Sequence, residues 1–209
     1  FLRQHRLVDL QALLDRADAD PGWYWHSLLQ FFDIQFARPY SEVLDVSQGI
    51  EWPRWCVGGT TNVVLNCLDR HRGTPVWQKT AIIWEGEDRS RRSWSYAELD
   101  AEVCRLAGTL KSRKIASGDV VAIYMPMIPE AAAAFLAIAK IGAIAMPLFS
   151  GFGPQPITDR LIDAEARAVI TVDVGRRRGK DLPMKETLDR ALALAPSVHT
   201  VVVLIRESE

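Results

Sequence analysis

Between Asp119 and Ile205 one pattern repeats: a short apolar run of strand length, then a longer stretch with helical spacing. DVVAIYMP (Asp119–Pro126) is apolar almost throughout, without the alternation of a half-exposed strand, as expected for a strand covered on both faces. Pro129 and Glu130 open an Ala-rich stretch, EAAAAFLAIAKIG, with Gly142 as its expected C-cap. Ala143–Leu148 is the next strand; a loop, SGFGPQP, leads to a helix around Thr158–Glu165. Strand AVITV, loop DVGRRRGKDLP, helix MKETLDRALALA and strand HTVVVLI follow. Such an order specifies an α/β fold: a mainly parallel sheet flanked by helices, joined by right-handed crossovers.

Upstream, AIIWEGED reads as a strand running into a turn over Glu85–Arg91. Ser95 with Glu98 three residues on is a capping-box pair, starting a helix whose apolar positions are Leu99, Val103, Leu106, Ala107 and Leu110. A helix over Asn62–His71 ends near Gly73 and Pro75. Residues 1–60 differ. They hold Trp23, Trp25, Trp52 and Trp55, with short helices expected over Leu7–Ala17 and Trp23–Phe36. Pro53, Gly58 and Gly59 then break both periods in EWPRWCVGGTTN. The expected organisation is an aromatic-rich N-terminal arm (residues 1–60), its tryptophans serving as packing anchors against a larger body, and an incomplete α/β subdomain (residues 61–209).

With 48% hydrophobic and 24% charged residues and a formal net charge of -1, the chain has the profile of a folded globular protein. The balance gives no reason to expect a nucleic-acid or membrane-surface partner, so any basic site must be local. Cys56, Cys67 and Cys104 form no CxxC pair; reduced thiols in a cytoplasmic setting are expected. The opening FLRQHRLVDL has no signal-peptide core, and no apolar run reaches the roughly 20 residues that span a bilayer. The start at Phe1 and the end at RESE, directly after a buried-type strand, make a trimmed chain the expectation.

The loop Asp173–Lys180, DVGRRRGK, is the most informative candidate for chemistry. Arg176, Arg177, Arg178 and Lys180 repel one another in water, and a bound anion relieves that repulsion. Amides near Gly175 and Gly179 could face it, and the loop follows a strand, where ligands of parallel sheets bind. A solvated basic loop is the alternative. It is not a P-loop, since the GxxxxGK[ST] order is missing. FSGFG (Phe149–Gly153) also follows a strand end; it either lets a backbone pass a ligand or simply turns, with Pro154 and Pro156 separating it from the next helix. His5, His26, His71 and His199 lack ligand spacing, so no metal site is expected. No GxSxG or paired Cys and His arrangement appears, and Glu85, Glu87, Asp88, Asp163 and Glu165 read as solvated charges.

WSYAELD (Trp94–Asp100), GDVVAIYMPMIPE (Gly118–Glu130), FLAIAKIGAIAMPLFSGFGP (Phe135–Pro154) and AVITVDVGRRRGK (Ala168–Lys180) resemble, in order and spacing, successive blocks of the adenylate-forming enzymes, the AMP-dependent acyl-CoA synthetases. The arm around WYWHSLLQFFDIQFARPYSEVLD resembles the extra segment of the acetyl-CoA synthetase branch. The resemblance implies an acid–CoA ligase acting on a small carboxylate, with ATP and CoA as substrates and Mg2+ assisting. It implies that ATP-binding and catalytic residues lie in the remainder of the polypeptide, because no YTSGTTGKPKG-like stretch is present. No catalytic residue is therefore assigned here, and the fragment alone is expected to be inactive. The family's RxxR cations that meet CoA phosphates fall on Arg177 and Lys180, the second being Lys in place of Arg, which gives up the bidentate fork. Gly151 falls where CoA passes the glycine turn. Arg176 and Arg178 receive no role. A non-catalytic phosphate- or CoA-binding module, or an interaction domain of α/β type, is the competing reading.

Overall fold

The computed structural model describes residues 1–206. The chain divides into two compact units, Phe1–Asn66 and Cys67–Glu209.

In the first unit, Asp9 caps α1 (Leu10–Ala19) by accepting from the Ala12 amide, and Asp20 caps α2 (Pro21–Phe31) by accepting from the Trp23 amide. Pro21 sits in the first helical turn, where its missing N–H costs nothing. Both helices start and stop away from the expected bounds, since caps rather than apolar spacing set the ends. β1 (Glu42–Asp45) and β2 (Arg54–Val57) form an antiparallel pair with Leu44 opposite Trp55. EWPRWCVGGTTN, where both periods break, thus supplies one strand of a hairpin. Trp25 meets Trp55 edge-on at 5.9 Å, and the Arg16 guanidinium lies 3.6 Å over Trp23. Trp52 is 72% exposed. A short helix, α3 (Val63–Cys67), spans the boundary of the two units, and a single 3-10 turn at Asp69–His71 replaces the rest of the expected Asn62–His71 helix.

The second unit opens with an antiparallel hairpin, β3 (Thr80–Glu85) and β4 (Arg91–Ser95). Ser95 then caps α4 (Tyr96–Ser112), and its capping box with Glu98 is complete. Leu99, Val103, Leu106, Ala107 and Leu110 are all buried, as helical spacing requires of one face. Arg72 donates to both carboxylate oxygens of Asp100 at 2.6 and 2.8 Å, which pairs the buried Asp100 charge, and Lys140 donates to the half-buried Asp69 at 2.6 Å.

The core is a four-stranded, all-parallel sheet built from β5 (Val120–Tyr124), β6 (Ile144–Leu148), β7 (Ala168–Val172) and a later strand, β10 (Thr200–Leu204), in the order β10-β7-β5-β6. The α/β expectation is met. α5 (Pro129–Lys140) follows β5 and ends before Gly142, whose φ of 76° takes the left-handed conformation of a C-cap. α6 (Pro154–Asp163) follows β6 and begins earlier than expected. Pro154 occupies its first turn, so prolines that appeared to separate the glycine turn from a helix instead start one. After β7 the chain makes a small antiparallel hairpin, β8 (Gly175–Arg177) and β9 (Lys180–Leu182), before α7 (Met184–Leu192). Every residue of β7 is buried, which explains a sequence that is apolar except for Thr171.

Candidate functional site

β5, β6 and β7 end in register: Tyr124 pairs with Leu148 on one side and with Thr171 on the other. The glycine turn after β6 and the basic hairpin after β7 therefore leave the same carboxyl edge of the sheet, flanking the end of β5. Ligand sites of parallel sheets form at this edge, because the loops there diverge and leave a crevice.

Tyr124 connects the edge to the glycine turn. Its ring is buried, and its hydroxyl donates to the Phe152 carbonyl at 3.0 Å, with the Ser150 carbonyl at 3.4 Å. Burial raises the Tyr124 pKa above its ordinary value. Thr171 in turn donates to the Tyr124 carbonyl at 2.8 Å. Phe149 and Phe152 meet edge-on at 5.5 Å, and a cation lies over each ring: Arg177 at 4.9 Å from the Phe149 centroid and Arg160 at 4.5 Å from that of Phe152. The result is a surface ribbon of two guanidiniums and two aromatic faces, suited to an anion with a planar group.

Arg177 and Gly151 are in direct proximity. A Cβ built on Gly151 would lie 2.5 Å from Arg177 Nη1 and 2.6 Å from Phe149 Cε1, so the guanidinium occupies space that only glycine leaves free. Lys180 pairs with Arg177 across the hairpin. Cross-strand partners project from the same face, so these two cations share one side while Arg176 and Asp181 share the other. The expected loop is a tight hairpin because Arg178 and Gly179 both have positive φ, 53° and 71°, matching a two-residue turn with left-handed central residues. Its base is held by Gly175, which is buried against Met184, and by Asp173, which accepts from the Val174 and Arg206 amides at 2.8 and 3.0 Å. Those amide bonds, the Arg206 one foremost, hold the Asp173 carboxyl below its ordinary range.

Glu87 is an exposed turn charge, as its sequence context suggests, but its carboxylate is engaged. One carboxylate oxygen accepts from the Arg178 amide at 2.8 Å and the other from the Gly179 amide at 2.9 Å. These bonds, aided by the nearby Arg176 and Arg177 charges, lower its pKa. A cleft of about 250 Å³ lies beside it, bounded by Trp84, Glu87, Asp88, Met127, Arg176 and Arg206. Among the described residues, Arg176, Arg177, Arg178 and Lys180 form no ion pair, and no group of His, Cys, Asp and Glu is placed to hold a metal. Sequence reasoning named Arg177, Lys180 and Gly151 but missed Tyr124, Phe149, Phe152, Arg160 and Glu87. The two phenylalanines lie within the FSGFG segment that the sequence singled out for its glycines; Glu87 carried no signal.

Residues 10–67 match the family described as acetyl-coenzyme A synthetase N-terminus. The acetyl-coenzyme A synthetase 2 of Pseudomonas putida is 42% identical over 202 residues, covering 95% of this chain and 30% of the relative. The acetyl-coenzyme A synthetase of Cronobacter sakazakii is 46% identical over 195 residues, covering 90% and 29%. Among solved structures, an acetoacetyl-CoA synthetase from Streptomyces lividans superposes with a TM-score of 0.85 at 26% identity, over 96% of this chain and 31% of that one. The chain thus spans under a third of the length of these relatives. With residues 69–209 matching the family described as AMP-binding enzyme, over the parallel sheet and the loops at its carboxyl edge, the chain belongs to the AMP-binding enzyme family.

Proposed function

We propose that the chain is part of an ATP-dependent acid–CoA ligase and supplies part of the site for the nucleotide end of CoA. In the overall reaction a short-chain carboxylate attacks ATP, forming an acyl-adenylate and releasing pyrophosphate. The CoA thiol then attacks the acyl carbon, and AMP leaves. The names of the acetyl-CoA synthetase relatives favour acetate or a close homologue. Residues 61–209 serve as the first α/β subdomain and residues 1–60 as the arm of the acetyl-CoA synthetase branch. ATP and Mg2+ are bound by residues outside this chain, the setting is cytoplasmic, and the 209 residues alone do not turn over.

The observation that carries this reading is the seating of Arg177 against Gly151 and Phe149. A guanidinium beside a glycine turn and an aromatic face offers a phosphate oxygen a charge-assisted contact and lets a ligand backbone pass closely. Lys180, on the same face of the hairpin, adds a second positive charge. In the ligase that contains these residues, Arg177→Glu is expected to raise the apparent KM for CoA by about ten- to a hundredfold, the equivalent of one lost charge-assisted contact. Acid-dependent pyrophosphate exchange, which needs no CoA, should remain nearly intact. A collapse of exchange together with the CoA step would refute the assignment.

A further inference from the structure

The tip of the β8–β9 hairpin has no support of its own. Arg178 is a non-glycine residue at a φ of 53°, a conformation L-residues leave readily. Among the described residues, the side chains of Arg176, Arg178 and Lys180 contribute no hydrogen bond, ion pair or ring contact, and that of Arg177 only stacks on Phe149. Four like charges next to one another also favour opening. The tip's two successive amides, at Arg178 and Gly179, form a concave pair of donors of the kind that binds anions, and in this molecule they are already taken by Glu87.

Glu87 is well placed to hold them. Its own turn is closed by the Gly86 amide donating to Ser90 at 2.8 Å and the Arg89 amide donating to Gly86 at 2.9 Å. Asp88 is committed to that turn, accepting from the Ser90 amide at 2.9 Å and its hydroxyl at 2.6 Å, which leaves Glu87 as the carboxylate that reaches outward. Trp84 anchors the β3–β4 hairpin by donating from Nε1 to the Met127 carbonyl at 2.7 Å, just beyond the end of β5. Two contacts therefore tie the β3–β4 hairpin to its surroundings, Trp84 to the Met127 carbonyl and Glu87 to the tip amides, and the short backbone segment from Trp84 to Glu87 joins them.

We propose that Glu87 is a positioning residue for the anion site: by bonding both turn amides it holds the Arg177–Lys180 face toward an incoming phosphorylated ligand. The inference rests on the reading of Arg177 and Lys180 as CoA contacts. It also gives Arg176 a place, on the opposite face of the hairpin, bordering the cleft beside Glu87 and Asp88. A carboxylate that merely filled an anion site would compete with phosphate. Removing it would then tighten CoA binding, whereas removal of a positioning residue weakens it, so the sign of the effect separates the two roles.

The test is steady-state kinetics on the ligase containing these residues, as wild type, Glu87→Ala, Glu87→Asp and Arg177→Glu. Loss of the anchor lowers the fraction of hairpin in the competent orientation, and Glu87→Ala should raise the apparent KM for CoA about fivefold with kcat and pyrophosphate exchange within about twofold of wild type. Glu87→Asp, one methylene shorter, should recover part of that loss. In the same ligase, Glu87→Ala should speed amide exchange across residues 176–182. If Arg177→Glu raises the KM while Glu87→Ala leaves it unchanged or lowers it, the positioning role is overturned and the CoA site stands. If neither raises it, the CoA reading fails and takes this inference with it. Unchanged exchange across the hairpin also overturns the proposal.

Discussion

Gly151→Ala tests the central geometric relation of the site. The added Cβ would sit 2.5 Å from Arg177 Nη1 and 2.6 Å from Phe149 Cε1, about 1 Å inside ordinary van der Waals separation. The φ of Gly151 is not positive, so alanine meets no backbone penalty and the effect must pass through those two side chains. Arg177 yields first, because its guanidinium is the exposed end of a flexible chain. Losing its stack on Phe149 costs about 0.5–1 kcal/mol, lowering Tm by about 1–4 °C for a chain of this size. With Arg177 displaced by about 1 Å, the proposed contact with a CoA phosphate would be weakened rather than lost, and in the ligase that contains these residues the apparent KM for CoA should rise about three- to tenfold. The decisive assay is a double-mutant cycle with Arg177→Met, read both as thermal stability and as CoA KM. Because Gly151 acts through Arg177, the two substitutions should be strongly non-additive. Additivity within about 0.3–0.5 kcal/mol would refute the reasoning. So would a stability loss above about 3 kcal/mol, which would mean that the backbone of the turn had given way.

Tyr124→Phe removes the hydroxyl that holds the glycine turn to the end of β5; denaturant unfolding should register a loss of about 0.5–1.5 kcal/mol, and no loss would mean that the Phe152 carbonyl needs no such partner. Asp45 is held at about 2, below the ordinary 3.8, by hydrogen bonds from Ser47 and then by its Arg54 partner. Since the folded value is the depressed one, the stability it contributes is present above pH 3.8 and is lost as pH falls toward about 2. An NMR titration of the Asp45 side chain should find the low midpoint in the folded chain, and Ser47→Ala should move it upward.

The parts of this protein legible in its sequence are those where one force dominates locally. β5 and β7 are covered on both faces, so their sequences are apolar except for Thr171, and helices intervene between the strands because a parallel connection requires a crossover. The α4 capping box was equally readable, since its two partners lie three residues apart and satisfy each other without help from the rest of the fold. The α6 start was misread because proline breaks a helix in its interior but not in its first turn, and only position relative to Gly153 tells the two apart. The β8–β9 hairpin is polar and exposed, and its turn places Arg178 at positive φ without the Asn-Gly or Asp-Gly signal, so nothing local marked it. Sequence alone determined the sheet, its order of connection and the presence of a cationic segment at a strand end. Tertiary structure decided which cation meets the glycine turn and that Glu87, 91 residues before Arg178, holds the tip, because contacts between distant segments depend on how the sheet edge aligns its loops, which no local pattern encodes.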